Sequence, residues 1–368
     1  MKNTPFSSTE MEKQNIQTNL PTKSKPSLLD KIPFLKNIIN TLKNKNTDSY
    51  TEKNTHLPTD KKNSYSNSQN KRNQLLKNLQ SKPIIKQPET LVVSDLHGDI
   101  NRWNSLKTQL RIHPNLKIII AGDAMDRDRN GVDILLQIKE LSDTGRVTYI
   151  PGNHDLFAYN YLKAKNVNPS LYKESYDMLV KNGGTPTLYD LDHFDELVDM
   201  ALKNGSIKQK ITKEELTSWL GNLPVQMLKE ENNTKYAIAH ALFDTKLYQA
   251  DKNFCLAKAF KLMNHTQNLQ EQEMLNRFMN CMQYREGNAL TQSAPIAFPK
   301  GYLMIVGHTR GKDTIFSHLE NRVDQPILYI DCANGNFRGF NLSTHSDVNL
   351  ENPHLKNKSS INKNERDD

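Results

Sequence analysis

Asp95 and His97 in Ser94–Asp99, Asp123 and Asp126 in Gly122–Arg127, Asn153 and His154 in Gly152–Asp155, His240 in an Ala-His-Ala run, and His308 in Gly307–Thr309 are side chains of the kinds that hold metal ions and move protons. Asp, His and Asn offer hard oxygen and borderline nitrogen donors, a mixture suited to manganese, iron or zinc rather than to calcium or an iron–sulfur cluster. Asp95 and His97 are expected to hold one ion, and Asn153, His240 and His308 a second, with Asp123 bridging the two through its paired oxygens. Two cations about 3.5–4 Å apart lower the pKa of a shared water and clamp the attacking and leaving oxygens of an in-line displacement. Donors of this kind therefore point to hydrolysis of a phosphate ester.

Such residues must be brought together by the fold, and the sequence around them says how. Each segment follows or closes a short run rich in β-branched and apolar residues: Leu91–Val93, Ile118–Ala121, Val147–Ile150, Tyr236–Ala239 and Leu303–Val306. Runs of this length bounded by Gly, Asp and Asn have the character of buried strands in a helix-flanked sheet. The polar segments then fall on loops at the carboxyl ends of strands, where a rigid sheet can hold several loops in one geometry. Asp, Asn and Gly are common turn formers, so any single segment is a weak signal. The ordered set, each member after a predicted strand, is a strong one.

In that order the motifs resemble those of the calcineurin-like metallophosphoesterase superfamily, and within it the bacterial form of the phosphoprotein phosphatase family. Many members of the superfamily end in Gly-His-x-His, whereas this chain reads Gly307-His308-Thr309-Arg310. Arg310 cannot replace a ligating His, because a guanidinium stays protonated and has no lone pair to offer. Gly122–Arg127 resembles the family's GDxxDR motif, and the 28 residues from Asp95 to Asp123 resemble its strand–helix–strand unit. The match runs in outline from Thr90 to Leu342. The resemblance implies a general-acid role for His154, oriented by Asp126, and a phosphate-gripping role for Arg127 with Asn153 nearby. It also implies a second phosphate-binding arginine, for which Arg285 is the candidate. Ser94, Asp155 and the Ala241–Leu242 pair depart from the family pattern; the first two positions are not expected ligands.

Charge is unevenly distributed over the 368 residues. Residues 1–88 hold 16 Lys/Arg against 6 Asp/Glu, a net charge of +10, so the chain total of +8 leaves −2 for the remainder. This arm is rich in Asn, Ser, Thr, Gln and Lys and poor in aromatic residues, a composition expected to be disordered because it cannot bury enough surface to offset chain entropy. Within it, Leu28, Ile32, Leu35, Ile39 and Leu42 recur at helical spacing, predicting a short amphipathic helix near 28–43 with Ser27 as N-cap. Packing on the catalytic domain or binding a protein partner is the favoured expectation for that helix. Contact with an anionic membrane through Lys31, Lys36, Lys43 and Lys45 is the next. Nucleic-acid binding is least supported, since the arm lacks an arginine cluster and aromatic interleaving. No apolar run approaches the roughly 20 residues of a spanning helix, and no secretory signal core is present. Three cysteines without CxxC spacing argue against a disulfide framework or structural zinc cluster, which makes the cytoplasm the default location. The resemblance to bacterial phosphatases leaves room for a translocated effector acting inside a host cell.

A catalytic domain is expected over 89–345, with a flexible polar tail at 346–368. A helical insert at about 157–235 would form a wall or lid over the site. Leu162–Leu179 and Phe194–Leu202 have helical character, Thr212–Leu220 opens with a capping box, and Asn182-Gly183-Gly184 marks a turn. Leu256–Tyr284 is a further helical stretch leading to Arg285. The fold class is α/β (α+β), a sandwich of two mixed sheets flanked by helices. The expected function is that of a metal-dependent phosphatase acting on phospho-Ser/Thr or phospho-Tyr proteins by attack of a metal-bridging hydroxide. The alternatives are a hydrolase of dinucleoside polyphosphates or other small molecules, and a catalytically silent binding protein.

Overall fold

The computed structural model describes residues 89–265, 268–283, 299–309, 316–317, 327–331 and 337–350. The basic arm, Arg285, Arg310, His318 and Cys332 lie outside these residues.

The five predicted strands are present: β1 (Thr90–Val93), β2 (Lys117–Ala121), β3 (Val147–Ile150), β5 (Thr234–Ala239) and β6 (Leu303–Val306). They are divided between two sheets. The first has the order β10-β9-β1-β2-β3, with β1, β2 and β3 parallel, β9 (Arg338–Asn341) antiparallel to β1 and β10 (Ser346–Asn349) antiparallel to β9. The second runs β4-β5-β6-β8-β7, with β5, β6 and β8 (Ile327–Tyr329) parallel and the edge strands β4 (Gln226–Glu231) and β7 (Phe316–Ser317) antiparallel. The two mixed sheets form the predicted sandwich. Its centre takes alternate residues from each strand: Val92, Ile119 and Ala121 from the first sheet pack with Tyr236, Ile238, Ile305 and Leu328 from the second. Full burial of one such aliphatic side chain contributes about 1.5–3 kcal/mol, so a charged residue at Ile119 would disrupt the sandwich.

Helices cover both sheets. Asp99 caps α1 (Ile100–Ile112) by accepting the Asn101 and Arg102 N–H groups, and α1 buries Trp103, Leu106 and Leu110 at helical spacing. After β2 comes α2 (Gly131–Asp143), and after β3 come α3 (Asn153–Ala164), α4 (Pro169–Lys181), α5 (Thr185–Asp192), α6 (Phe194–Lys203) and α7 (Lys213–Asn222). Beyond β5 lie α8 (Thr245–Ala250), α9 (Leu256–Asn264) and α10 (Leu269–Gln283).

Several expectations need correction. The helix predicted over Leu162–Leu179 is two helices, because Asn168 caps α4 through the Leu171 N–H and Pro169 occupies its first turn, where no N–H is needed. Leu256–Tyr284 is likewise divided into α9 and α10. Strand β4 was not foreseen. It pairs with β5 across Asn232 and Asn233, both at positive φ as a two-residue hairpin turn requires, so the Asn-Asn pair was the available signal. Residues 346–350, read as the start of the polar tail, instead continue the first sheet as β10 (Ser346–Asn349), followed by the buried Leu350. The capping box is as expected, with Thr212 Oγ1 accepting from Glu215 N–H and Glu215 Oε2 accepting from Thr212 N–H.

Candidate metal centre and phosphoesterase site

Asp95 and His97 follow β1, Asp123 follows β2, Asn153 and His154 open α3 after β3, His240 ends β5, and His308 follows β6. Parallel strands point these ends the same way, and the loops meet where the two sheets abut. The backbone there is unusual. Asp95, His97, Asp123, Asp126, Arg127 and His308 all have φ between 49° and 70°. The left-handed region disfavours residues with a Cβ, and such conformations persist only where neighbours over-determine them.

Those neighbours can be named. Asp95 N–H donates to the Gly122 carbonyl, His97 N–H to the Asp123 carbonyl and Gly98 N–H to the Ala124 carbonyl, which zips the first two loops together. Arg102 Nη1 donates to the Asp95 carbonyl (2.8 Å), and the His308 N–H donates to Asp95 Oδ2 (3.0 Å). Gly307 has no room for a side chain, since a Cβ there would overlap Asp95 Oδ2 and Ser94 Oγ. The His154 N–H donates to Asp123 Oδ1 (3.1 Å).

The resulting cluster has two lobes that share one carboxylate. His97, Asp123 and His154 present ligand atoms within 4.8 Å of one another, and so do Asp123, His240 and His308. Asp123 Oδ2 lies 3.2 Å from His240 Nε2, 3.8 Å from His154 Nε2 and 3.9 Å from His97 Nε2. Asp95 Oδ1 is 3.5 Å from His97 Nε2. On the other side, His240 Nε2 is 3.0 Å from Asn153 Oδ1 and 3.2 Å from His308 Nδ1. All the described residues singled out as ligands from the sequence therefore converge. The first lobe also contains His154, so geometry alone leaves its Nε2 eligible as a ligand or as an acid.

Ring orientation bears on whether these residues fit metal ions. His97 Nδ1 is 3.1 Å from the Met125 carbonyl and His240 Nδ1 is 2.9 Å from the Ala121 carbonyl, so in both rings Nδ1–H donates to backbone and Nε2 is the nitrogen that faces the cluster. Ligating histidines are commonly held this way. The buried His97 Nε2 has no hydrogen-bond partner among the described residues, as expected for an atom intended for a cation. The donor set fits a pair of divalent ions.

Titration behaviour follows from the crowding of carboxylates. Burial opposes charge on Asp95, but the neighbouring His97 and His240 imidazoles outweigh it and hold the carboxyl at about 2. Asp123 is likewise held well below the usual range against its burial, by the His240 and His154 charges. Burial also disfavours charge on His240, yet the Asp123 carboxylate and its hydrogen bond push the imidazole up to about 10. In the metal-free cluster protons on imidazoles balance the buried carboxylates, and incoming cations must displace them.

His154 stands apart from His97 and His240 because its Nδ1 contacts a carboxylate rather than a carbonyl. Asp126 Oδ2 lies 2.5 Å away. Burial lowers the His154 pKa, but Asp123 and the Asp126 hydrogen bond prevail and raise it, while Arg127 acts in the opposite sense. Asp126 is held in turn by its N–H donating to Thr187 Oγ1 (3.1 Å), and the Arg127 N–H donates to the Gly183 carbonyl (2.9 Å). The turn between α4 and α5 thus anchors Arg127, and the first turn of α5 anchors Asp126.

Sequence reasoning missed three supporting side chains. Asp155 was read as a tolerable replacement, yet its Oδ2 accepts three bonds: from Tyr149 Oη (2.7 Å), from Gly152 N–H (2.7 Å) and from Asp123 N–H (3.1 Å). Tyr149 Oη also accepts the Ala124 N–H (2.9 Å). Its place on β3 carried the signal of a buried aromatic but not of its hydroxyl's partner. Thr187 had no signal at all.

Two parallel-stranded sheet edges, a shared carboxylate between two metal-fitting lobes and an imidazole–carboxylate pair beside them define a metal-dependent phosphoesterase. The family model described as calcineurin-like phosphoesterase matches residues 89–271. The chain belongs to the calcineurin-like metallophosphoesterase superfamily. Among curated proteins, the asymmetrical bis(5'-nucleosyl)-tetraphosphatase PrpE of Bacillus subtilis is 26% identical over 132 residues, covering 29% of this chain and 54% of that protein. Its counterpart in Bacillus velezensis is 25% identical over 132 residues, covering 29% and 53%. The chain spans about half the length of these relatives. Similar solved structures include a hypothetical protein from Pyrococcus horikoshii OT3 (11% identity, 74% of this chain and 92% of that one, TM-score 0.35). A protein serine/threonine phosphatase from Saccharomyces cerevisiae is similar at 13% identity, over 81% and 83% of the two chains, with a TM-score of 0.33.

Proposed function

We propose that this phosphoesterase is a phosphoprotein phosphatase that uses two divalent ions, manganese in the first instance with iron or zinc as alternatives. Asp95, His97 and Asp123 hold one ion, and Asp123, Asn153, His240 and His308 the other. When bound, the ions supply Lewis-acid charge beside the phosphate and acidify a water. Arg127, backed by Gly183, grips the phosphate oxygens, and Arg285 is the proposed second grip. His154 protonates the leaving oxygen from Nε2 while Asp126 holds Nδ1 and stabilises the imidazolium.

The observation that carries the reading is the His154–Asp126 contact of 2.5 Å beside the shared carboxylate. A serine or threonine alkoxide is a poor leaving group that needs a proton as its bond to phosphorus breaks, whereas a phosphate expelled from an anhydride needs it far less. The PrpE relatives, named for hydrolysis of such an anhydride, favour the second reading, a dinucleoside polyphosphate hydrolase. Rates on phosphoserine, phosphothreonine and phosphotyrosine peptides, compared with dinucleoside tetraphosphate under manganese, zinc and iron, separate the two. Higher kcat/KM on the tetraphosphate than on every peptide would overturn the first reading. Failure on any aryl phosphate would support a silent binding protein. We also propose that the basic arm serves a protein partner or an anionic surface, in a cytoplasm that includes a host cell's if the protein is exported. Deleting Met1–Pro88 should alter that binding and spare aryl phosphate hydrolysis.

A further inference from the structure

Helix α3 leaves the metal centre at His154, and α4 packs antiparallel against it and returns to the centre at Gly183. Gly183 has φ +85°, and a Cβ there would come within 3.4 Å of Arg127 Cα. On α3, Tyr161 lies seven residues from His154, two turns along the same face, with Phe157 between them. The Phe157 ring is 6.3 Å from that of His154. On α4, Tyr172, Tyr176 and Val180 recur every four residues and form one strip. Tyr161 joins the two helices: its ring stacks on Tyr172 with centroids 5.0 Å apart and is tilted 6.4 Å from Tyr176. The acid and the phosphate-side arginine are thus both connected to one aromatic strip, by independent helices.

The strip is largely uncovered. Tyr176 and Val180 are 43% and 44% exposed on one helix face. Small ligands are held in concave sites that bury most of their surface. A one-sided shelf instead suits an extended chain that lays an apolar side chain along it, and tyrosine is enriched where proteins meet. Along the helix axis, Val180 lies about 4.5 Å and Tyr176 about 10 Å from Gly183. At about 3.3 Å per extended residue, a bound peptide would cross the strip roughly one to three residues from its phosphorylated side chain.

We infer that Tyr176 and Val180 form a substrate shelf that selects phosphoproteins with an apolar residue about one to three positions from the phosphoresidue. The shelf rests on the phosphoprotein phosphatase reading and adds a specificity to it.

The test uses the full chain with manganese and two phosphothreonine peptides, one carrying leucine at about the first to third positions on both sides, the other glutamine. The wild-type protein should favour the leucine peptide in kcat/KM by about tenfold, chiefly through KM. Tyr176→Ala and Val180→Ser should each shrink that ratio several-fold, and together bring it near one. Tyr176→Phe should keep it, and Met200→Ser, an exposed position on α6, should leave it at the wild-type value. A wild-type ratio near one, or a ratio unmoved by Tyr176→Ala and Val180→Ser, overturns the shelf while leaving the phosphatase reading intact. Hydrolysis of an aryl phosphate but of neither peptide overturns the phosphatase reading, and the shelf with it.

Discussion

Replacing Asp155 tests how the metal centre is held, because one oxygen of this residue collects three buried donors. Asp155→Ala leaves Tyr149 Oη, Gly152 N–H and Asp123 N–H without their acceptor. A buried donor without a partner costs about 1–3 kcal/mol, and with partial rescue by an entering water the three together should cost about 3–5 kcal/mol of folding stability. That is a large share of the roughly 5–15 kcal/mol that holds a typical domain. Asp155→Asn places a carbonyl oxygen where Oδ2 sits and keeps the three bonds. Burial and the Asp123 charge already push the Asp155 carboxyl up to about 7, so loss of its charge is tolerated. The asparagine variant should therefore lose less than about 1.5 kcal/mol. Urea denaturation with and without manganese measures both. Only the alanine variant should also bind metal weakly, since the Asp123 N–H is one of the groups that hold Asp123 at its φ of 58°. Equal stability of the two variants, in either direction, would refute the role given to Oδ2.

Substitution His154→Ala should leave two metals bound while lowering turnover by about 10²–10⁴-fold, more for alkyl than for nitrophenyl phosphates; metal analysis that finds an ion lost would make His154 a ligand. Gly307→Ala should weaken metal binding by at least tenfold in a calorimetric titration, because the added methyl overlaps Asp95 Oδ2. In the metal-free protein the raised His240 pKa contributes stability that is fully present below about 6.5 and is lost as pH climbs towards about 10. Manganese must displace that proton, so the gain in Tm on adding manganese should widen between pH 6.5 and 8.5, and a constant or shrinking gain would contradict the charge balance drawn for the cluster.

Strand ends were legible in the sequence because a buried strand followed by Gly, Asp or Asn is a local pattern. Val147–Ile150 and Leu303–Val306 coincide with β3 and β6, and the other three runs differ from their strands by one or two residues. The ligands could be picked out for the same reason, each lying within a few residues of such an end. What escaped was non-local. Nothing near Asp155 says that it accepts the Asp123 N–H across 32 positions, and nothing near Thr187 says that it supports Asp126 across 61. The single helix expected over Leu162–Leu179 failed on a local signal that was given too little weight, Asn168-Pro169. Strand β10 failed because its exposed edge has the composition of a tail: Ser346, Asp347 and Asn349 surround one valine.

The antiparallel course of α3 and α4 fixes both ends of this excursion at the reaction centre, one through His154 and the other through Gly183 and Gly184. Its far bend, from Lys165 to Asn168, touches none of the ligands and can be lengthened or exchanged without moving an atom of the chemistry. The enzyme is in this sense built as a fixed anvil with a replaceable jaw. Related chains could diverge in the targets they recognise by redrawing this hairpin alone, and a graft of α3 residues beyond Phe157 together with α4 is the smallest unit with which such a change could be engineered.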